Sequence, residues 1–213
     1  MNPTRQIFLA SCAVVAQAVT DERVAAAWDK PSVLAEQTVG AVAAHVTRGS
    51  WVAYDYLDDG TPVGSATFVS AADYFAKLLD AATPDMHSGI RQRGADVATE
   101  GPEAAVDNLR AKIAELETRL NDEPADRLLH VYGGNVMGLD HYLETRILEQ
   151  VVHLNDLARS IGIDPWPNAP GADDLVISIG VEIGRLRYGD NATIHALFRG
   201  IDENSSFASG VTA

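Results

Sequence analysis

The stretch Gly138–Gly162, GLDHYLETRILEQVVHLNDLARSIG, decides how the rest of this 213-residue chain is read. At about 100° per residue it folds as one long helix with three stripes. Leu143, Ile147, Leu154, Leu157 and Ile161 form an apolar stripe, and Tyr142, Arg146, Glu149, His153 and Asp156 line a narrow polar one beside it. Asp140, Glu144, Asn155 and Arg159 make a second polar stripe on the far side. A surface helix needs only one solvated stripe. Two readings follow: both polar stripes are wet, or one faces an internal polar site. Glu149 and His153, four residues apart, stand one above the other on the helix face. One rigid helix gives a metal ion two ligands at that spacing, but many helices carry Glu and His four apart by chance.

Upstream, Asn2 or Thr4 is placed to cap a first helix running to about Val19, and Asp21 restarts a short turn, DERVAAAW, that ends at Trp28. After a loop at Pro31 and Ser32, Thr38 caps a second long helix, TVGAVAAHVTRGSWVAYDYL, which ends before the turn Asp58-Asp59-Gly60. His45 falls mid-helix among Thr38, Ala41, Val42, Gly49 and Val52, so it points inward. A hydrogen-bonded core histidine and a ligand with room beside it both fit that placement.

Ser70 and Asp73 resemble a capping box for AADYFAKLLDAA, closed by Pro84, and a shorter helix follows from about Asp85 to Ala98. Gly101-Pro102-Glu103 opens PEAAVDNLRAKIAELETRLN, where Ala105, Leu109, Ile113, Leu116 and Leu120 recur at helical spacing. Its other face, with Arg110, Lys112, Glu115, Glu117 and Arg119, reads as solvated surface. RLLHVYGGNV, from Arg127 to Val136, reads as a loop or brief extended piece. Its Gly133-Gly134 lacks the GxxxxGK[ST] pattern of a phosphate loop and reads as a turn. Beyond Gly162 come a proline-rich connection, IDPWPNAPG, a further helix, ADDLVISIGVEIGRLRYG, and NATIHALFRG capped by Asn191. The expected architecture is all-α, a helix bundle over residues 1–200 with a polar tail over 201–213.

Composition narrows the function. A net charge of −14, with no long basic run, argues against a nucleic-acid partner. No apolar stretch approaches the roughly 18–20 residues of a membrane span. IFLASCAVVAQAV, from Ile7 to Val19, has only Arg5 as a basic flank and is followed by Asp21 and Glu22, so it reads as an amphipathic helix and not a signal peptide. Cys12 is the only cysteine, which excludes a disulfide within the chain, and its neighbours Phe8, Leu9, Val15 and Ala16 place it in the core. A cytoplasmic protein, monomer or homodimer, is the expectation.

TVGAVAAHV around His45 and LETRILEQVVHLNDLARSIG downstream resemble the mycothiol-dependent maleylpyruvate isomerase family, whose members are metal-binding DinB-like four-helix bundles. DERVAAAWDKPSVLAEQTVGAVAAHVTRG and RYGDNATIHALFRG extend the likeness from about residue 5 to residue 200. It implies a DinB-like four-helix bundle with additional short helices. It also implies a zinc site of one histidine on the second helix and an E-x-x-x-H pair, here His45, Glu149 and His153. The isomerase carries a further C-terminal domain that contributes to its active site, whereas this sequence continues past the bundle only as a short tail. That departure favours the single-domain mycothiol S-transferases of the superfamily.

The resemblance therefore implies a zinc-dependent thiol transferase. Three N/O ligands leave a fourth zinc position open, where mycothiol, as cosubstrate, would be held as thiolate and aimed at an electrophilic small molecule. Asp156 is placed to orient a ligand imidazole or bind a cosubstrate amine, and Arg146 to hold Glu149 or meet an anionic group. An ordinary intrahelical ion pair is the alternative for each. Arg48, Trp51 and Tyr56 are expected at the pocket rim. His87, His130, His141 and His195 lack partners at ligand spacing, with His141 the reserve ligand. Alternative functions are a mycothiol-dependent isomerase, a metal-dependent hydrolase, and a non-catalytic metal- or ligand-binding bundle.

Overall fold

Four long helices enclose the core, and capping side chains start two of them. The computed structural model describes residues 1–81 and 83–199, apart from the side chains of residues 81, 84–87 and 90. The expected polar tail lies outside the described residues. Helix α1 (Pro3–Val19) starts at Asn2, whose side-chain oxygen accepts the Arg5 amide at 3.0 Å. The short α2 (Glu22–Ala26) is capped by Asp21, and α3 (Val39–Asp58) by Thr38, whose Oγ1 accepts the Ala41 amide at 3.1 Å. Then follow α4 (Ala71–Ala81), α5 (Pro84–Ala98), α6 (Gly101–Asp122), α7 (Leu139–Ile161), α8 (Ala172–Tyr188) and α9 (Asp190–Arg199). Gly162 closes α7 in the left-handed conformation at φ 71°, where a side chain would be strained.

Helix α7 packs against α1 and α3, and α6 completes the bundle against the same two helices. Helix α5 lies along α3, α4 and α8 cover α7, and α9 packs on α8. This is an all-α, DinB-like bundle. The stripe expected on α7 does enter the core: Leu143 and Ile147 meet Phe8, Leu116 and Leu120, while Leu154 and Leu157 meet Val15, Val42 and Leu109. Each such buried side chain is worth about 1.5–3 kcal/mol of transfer free energy.

Several local expectations are corrected. RLLHVYGGNV forms most of a hairpin, β1 (Leu128–Val131) against β2 (Asn135–Gly138), antiparallel with Leu128 opposite Gly138 and Val131 opposite Asn135. Leu129, Val131 and Met137 are buried beneath α3, α4 and α7, a period-2 pattern too short to stand out in the sequence. Asn191 does not cap α9, which begins one residue earlier at Asp190. The outer face of α6 is not plain solvated surface. Lys112 Nζ bonds Asp55 of α3 at 2.8 Å, Arg119 bonds Asp58 at 2.7 Å, and Tyr54 donates to Glu115 at 2.6 Å.

Asp140, expected in the solvated stripe of α7, is tied down by the first turn of α1. Arg5 Nε donates to its Oδ1 at 2.7 Å, and Asn2 Nδ2 to its Oδ2 at 2.6 Å. The Arg5 Nη atoms donate to the carbonyls of Leu120, Glu123 and Pro124. The end of α6 leaves the Leu120 and Glu123 carbonyls without helical partners, whereas the Pro124 carbonyl also accepts the Arg127 amide at 3.3 Å. One buried guanidinium therefore joins the start of α1, the end of α6 and the start of α7.

Candidate metal centre

His45 enters the centre from α3, and Glu149 and His153 from α7. Gly94 of α5 backs His45 so closely that a Cβ there would stand 3.0 Å from the Ala41 carbonyl oxygen and 3.5 Å from the His45 Cβ. The two imidazoles meet edge to face with centroids 4.8 Å apart. Glu149 Oε2 lies 3.2 Å from His45 Nε2 and 3.3 Å from His153 Nε2. The polar stripe of α7 thus turns inward, and the solvated reading of Glu149 and His153 does not hold.

The residues present fit a metal ion. One ligand atom from each side chain falls within 4.8 Å of the other two. Donors on one tetrahedral zinc with bonds of about 2.0–2.1 Å stand about 3.3 Å apart, close to both of the N···O separations. His153 Nε2 is buried and lacks an aligned hydrogen-bond partner, although Glu149 Oε2 is near it. Such an atom calls for a partner, and a cation beside the carboxylate supplies one. Side-chain exposure falls from 23% at His45 through 13% at Glu149 to 1% at His153, so the group opens to solvent on the His45 side.

Burial works against charge on Glu149, but His153 and His45 outweigh it and hold the carboxyl well below the usual range. Burial also disfavours charge on His153; here Asp156 and then Glu149 prevail and raise it to about 9. At His45 burial wins, and its pKa falls below the ordinary imidazole value. One neutral imidazole, one carboxylate and one imidazole anchored by a second carboxylate form a donor set for a divalent transition metal.

The surroundings divide the other expected residues. Asp156 is buried, with Oδ2 3.2 Å from His153 Nδ1. A proton on Nδ1 satisfies Asp156 and leaves Nε2 to face Glu149. Arg146 does not pair with Glu149. Its Nε donates to Thr145 Oγ1 at 3.0 Å, and its guanidinium lies 5.0 Å from the Tyr142 ring centroid. Tyr56 joins that group, its ring 5.2 Å from Tyr142. Arg48 leans over Trp51 at 5.9 Å, and Trp51 turns toward α6, with Lys112 Nζ 4.3 Å from its ring. No described contact joins Trp51 to the His–Glu group. His141 is exposed and pairs with Glu144, His130 and His195 are exposed, and the side chain of His87 lies outside those described.

Two neighbours escaped the sequence reading. Tyr74 of α4, within electrostatic reach of Arg146 and Glu149, carries no sequence signal beyond its aromatic type. Gly94 did leave one, an isolated glycine inside a helical run.

These features define a class: a DinB-like all-α bundle whose core helices present two histidines and a carboxylate able to hold a metal ion. The chain matches the family described as the mycothiol maleylpyruvate isomerase N-terminal domain over residues 8–158, and it belongs to that family. The family is associated with mycothiol-dependent enzymes. No curated protein and no solved structure matches the chain. The matched span includes His45, Arg146, Glu149, His153 and Asp156 and stops before α8. No helix among the described residues is long and apolar enough to cross a membrane.

Proposed function

We propose that this protein is a zinc-dependent transferase that joins mycothiol, a low-molecular-weight thiol, to an electrophilic small molecule. The observation that carries the reading is the convergence of His45 Nε2 and the buried His153 Nε2, which lacks an aligned hydrogen bond, on one oxygen of Glu149. His45, Glu149 and His153 would hold the metal, with Asp156 orienting His153. When bound, zinc supplies a Lewis-acid position that favours thiolate over thiol, whose ordinary pKa is about 8.5.

The chain's own side chains explain why the thiol comes from outside. Cys12 is the only cysteine, and it is buried against Ser50 and Gln150, with burial raising its pKa to about 12. It neither ionises at neutral pH nor reaches solvent. His153, sealed by the fold, fixes the donor set, while His45 and Glu149 border the open side where thiol and electrophile meet. We place this chemistry in the cytoplasm, where small thiols stay reduced.

The test is metal analysis of the purified protein beside His153→Ala, followed by thiol consumption with a reactive aryl halide. About one zinc per chain, lost in the variant without loss of helical content, together with mycothiol consumed by the zinc-loaded protein, is the expected result. No stoichiometric metal, even after zinc is offered, would overturn it. A second reading, favoured by the description of the family, is an isomerisation that uses the thiol without consuming it. Turnover of an isomerisable substrate at constant thiol would select that reading.

A further inference from the structure

Cations stacked on aromatic rings recur in this chain, and most of them also hold a carboxylate. Lys77 over Phe68 pairs with Asp73, Lys112 over Trp51 with Asp55, Arg119 over Tyr54 with Asp58, and Arg187 over Tyr188 with Asp80. Arg146 over Tyr142 breaks the pattern. Among the described residues no carboxylate pairs with it, although acidic residues outnumber Lys and Arg 30 to 16. Glu149, one turn along the same helix, is the nearest candidate, but its Oε2 is directed at the two imidazoles.

Nor is Arg146 an exposed side chain that water would satisfy freely. It is half-buried, with Nε committed to Thr145 Oγ1. Its Nη edge has no protein acceptor among the described residues, and a guanidinium cannot shed its charge. Tyr142, Tyr56 and Tyr74 stand within electrostatic reach of it, and their hydroxyls have no hydrogen-bond partner among the described residues. Arg48, which pairs with no carboxylate among the described residues, adds a second cation acting on Tyr142. A planar fork of donors with phenolic hydroxyls around it matches a carboxylate, which accepts two parallel N–H bonds and further O–H bonds.

We propose that the Arg146 Nη edge and the Tyr56 and Tyr142 hydroxyls form an anion subsite that takes a carboxylate of the electrophilic substrate beside the His45–Glu149–His153 group. The substrate class is then a carboxylate-bearing electrophile. In a protein of net charge −14, whose overall field repels anions, a local cationic cradle also selects for them. That this anion is a substrate rests on the reading of the neighbouring group as a reaction centre; the binding itself does not.

The experiment measures equilibrium binding of benzoate and of its neutral isostere benzamide, by calorimetry, to the zinc-treated wild type, Arg146→Gln, Tyr142→Phe, Tyr56→Phe and His153→Ala. Benzoate is expected to bind the wild type at least tenfold more tightly than benzamide. Loss of a charge-assisted bond in Arg146→Gln weakens benzoate by about tenfold to a hundredfold, with benzamide unchanged. Each Tyr→Phe variant weakens it several-fold and decides the matter if Arg146→Gln fails to fold. Retained benzoate binding in His153→Ala supports the subsite even where the metal reading fails. Benzoate binding lost in His153→Ala but kept in Arg146→Gln would mean that the anion sits on the metal, which overturns the proposal. Equal affinity for benzoate and benzamide would overturn it as well. Simultaneous binding of benzoate and the neutral thiol 2-mercaptoethanol to the zinc-loaded wild type assigns the carboxylate to the electrophile, and mutual exclusion overturns that assignment.

Discussion

His45 and His153 meet edge to face, with ring centroids 4.8 Å apart, across one carboxylate oxygen of Glu149. They come from helices separated by eighty residues of chain, so their meeting depends on how α3 packs on α7. Within α7 the helical repeat alone sets Glu149 against His153. The third donor arrives from α3, with α5 packed close behind it at Gly94 on the level of His45. One half of the centre is local and the other half is tertiary.

Asp156→Asn tests the local half. The carboxylate on His153 Nδ1 fixes the ring and strengthens it as a donor, and removing such a partner typically costs tenfold to a hundredfold in metal affinity. Zinc affinity, read by competition with a chromophoric chelator, is expected to fall by about that factor while the far-ultraviolet spectrum stays unchanged. Affinity equal to that of the wild type would show that Asp156 does not orient a ligand.

Gly94→Val tests the tertiary half. A Cβ at this position crowds a backbone oxygen at 3.0 Å, and backbone cannot swing aside as a side-chain tip can. Overpacking of this kind costs about 1–3 kcal/mol, outweighing the gain of roughly 0.5 kcal/mol from removing a helical glycine. Urea unfolding is expected to show that loss, and zinc affinity to fall with it because His45 is displaced. Unchanged stability would mean that α5 is free to move away from α3.

What could be read from the sequence follows the range of the forces involved. The long helix, its apolar stripe, the Thr38 cap and the inward turn of His45 all follow from local periodicity and capping, and all are present. Trp51, expected at the pocket rim, makes its described ring contacts with Arg48 and Lys112. It sits about 120° from His45 round the helix, and the packing of α6 claims that flank through Lys112. In the sequence Arg5 reads only as a weak basic flank. Its actual partners, near residues 120 and 140, were beyond any local pattern. The brief extended piece and its Gly133-Gly134 turn are legible, but the pairing into a hairpin is not, because four-residue strands show barely two periods of alternation.

Cys12 gives a prediction that reads the core. The folded protein at pH 8 is expected not to react with a disulfide reagent over minutes, and to yield one thiol per chain on denaturation. Its folded pKa is raised to about 12 by burial, against about 8.5 in the unfolded chain. The stability contributed by the neutral thiol is therefore full below about pH 8.5, and it is lost as pH climbs toward the folded value. The difference in unfolding free energy between wild type and Cys12→Ala should stay constant from pH 6 to about 8 and shrink at higher pH. Rapid labelling of native protein would contradict the burial.

Arg5→Ala should be among the most destabilising single changes outside the metal centre. Arg5 is buried, and Asp140, its partner at 2.7 Å, is mostly so. Deletion leaves a carboxylate without its cation and the Leu120 and Glu123 carbonyls at the end of α6 without donors, while the Pro124 carbonyl keeps the Arg127 amide at 3.3 Å. Breaking a buried pair from one side costs about 3–5 kcal/mol, mostly through the charge left behind. Chemical denaturation should show a loss in that range for Arg5→Ala. A double variant, Arg5→Met with Asp140→Leu, should recover part of it, since no uncompensated charge remains. If the double variant is as unstable as the sum of its single changes, the cost lies in the unsatisfied carbonyls. Arg5 would then matter as the cap of α6 more than as an ion-pair partner.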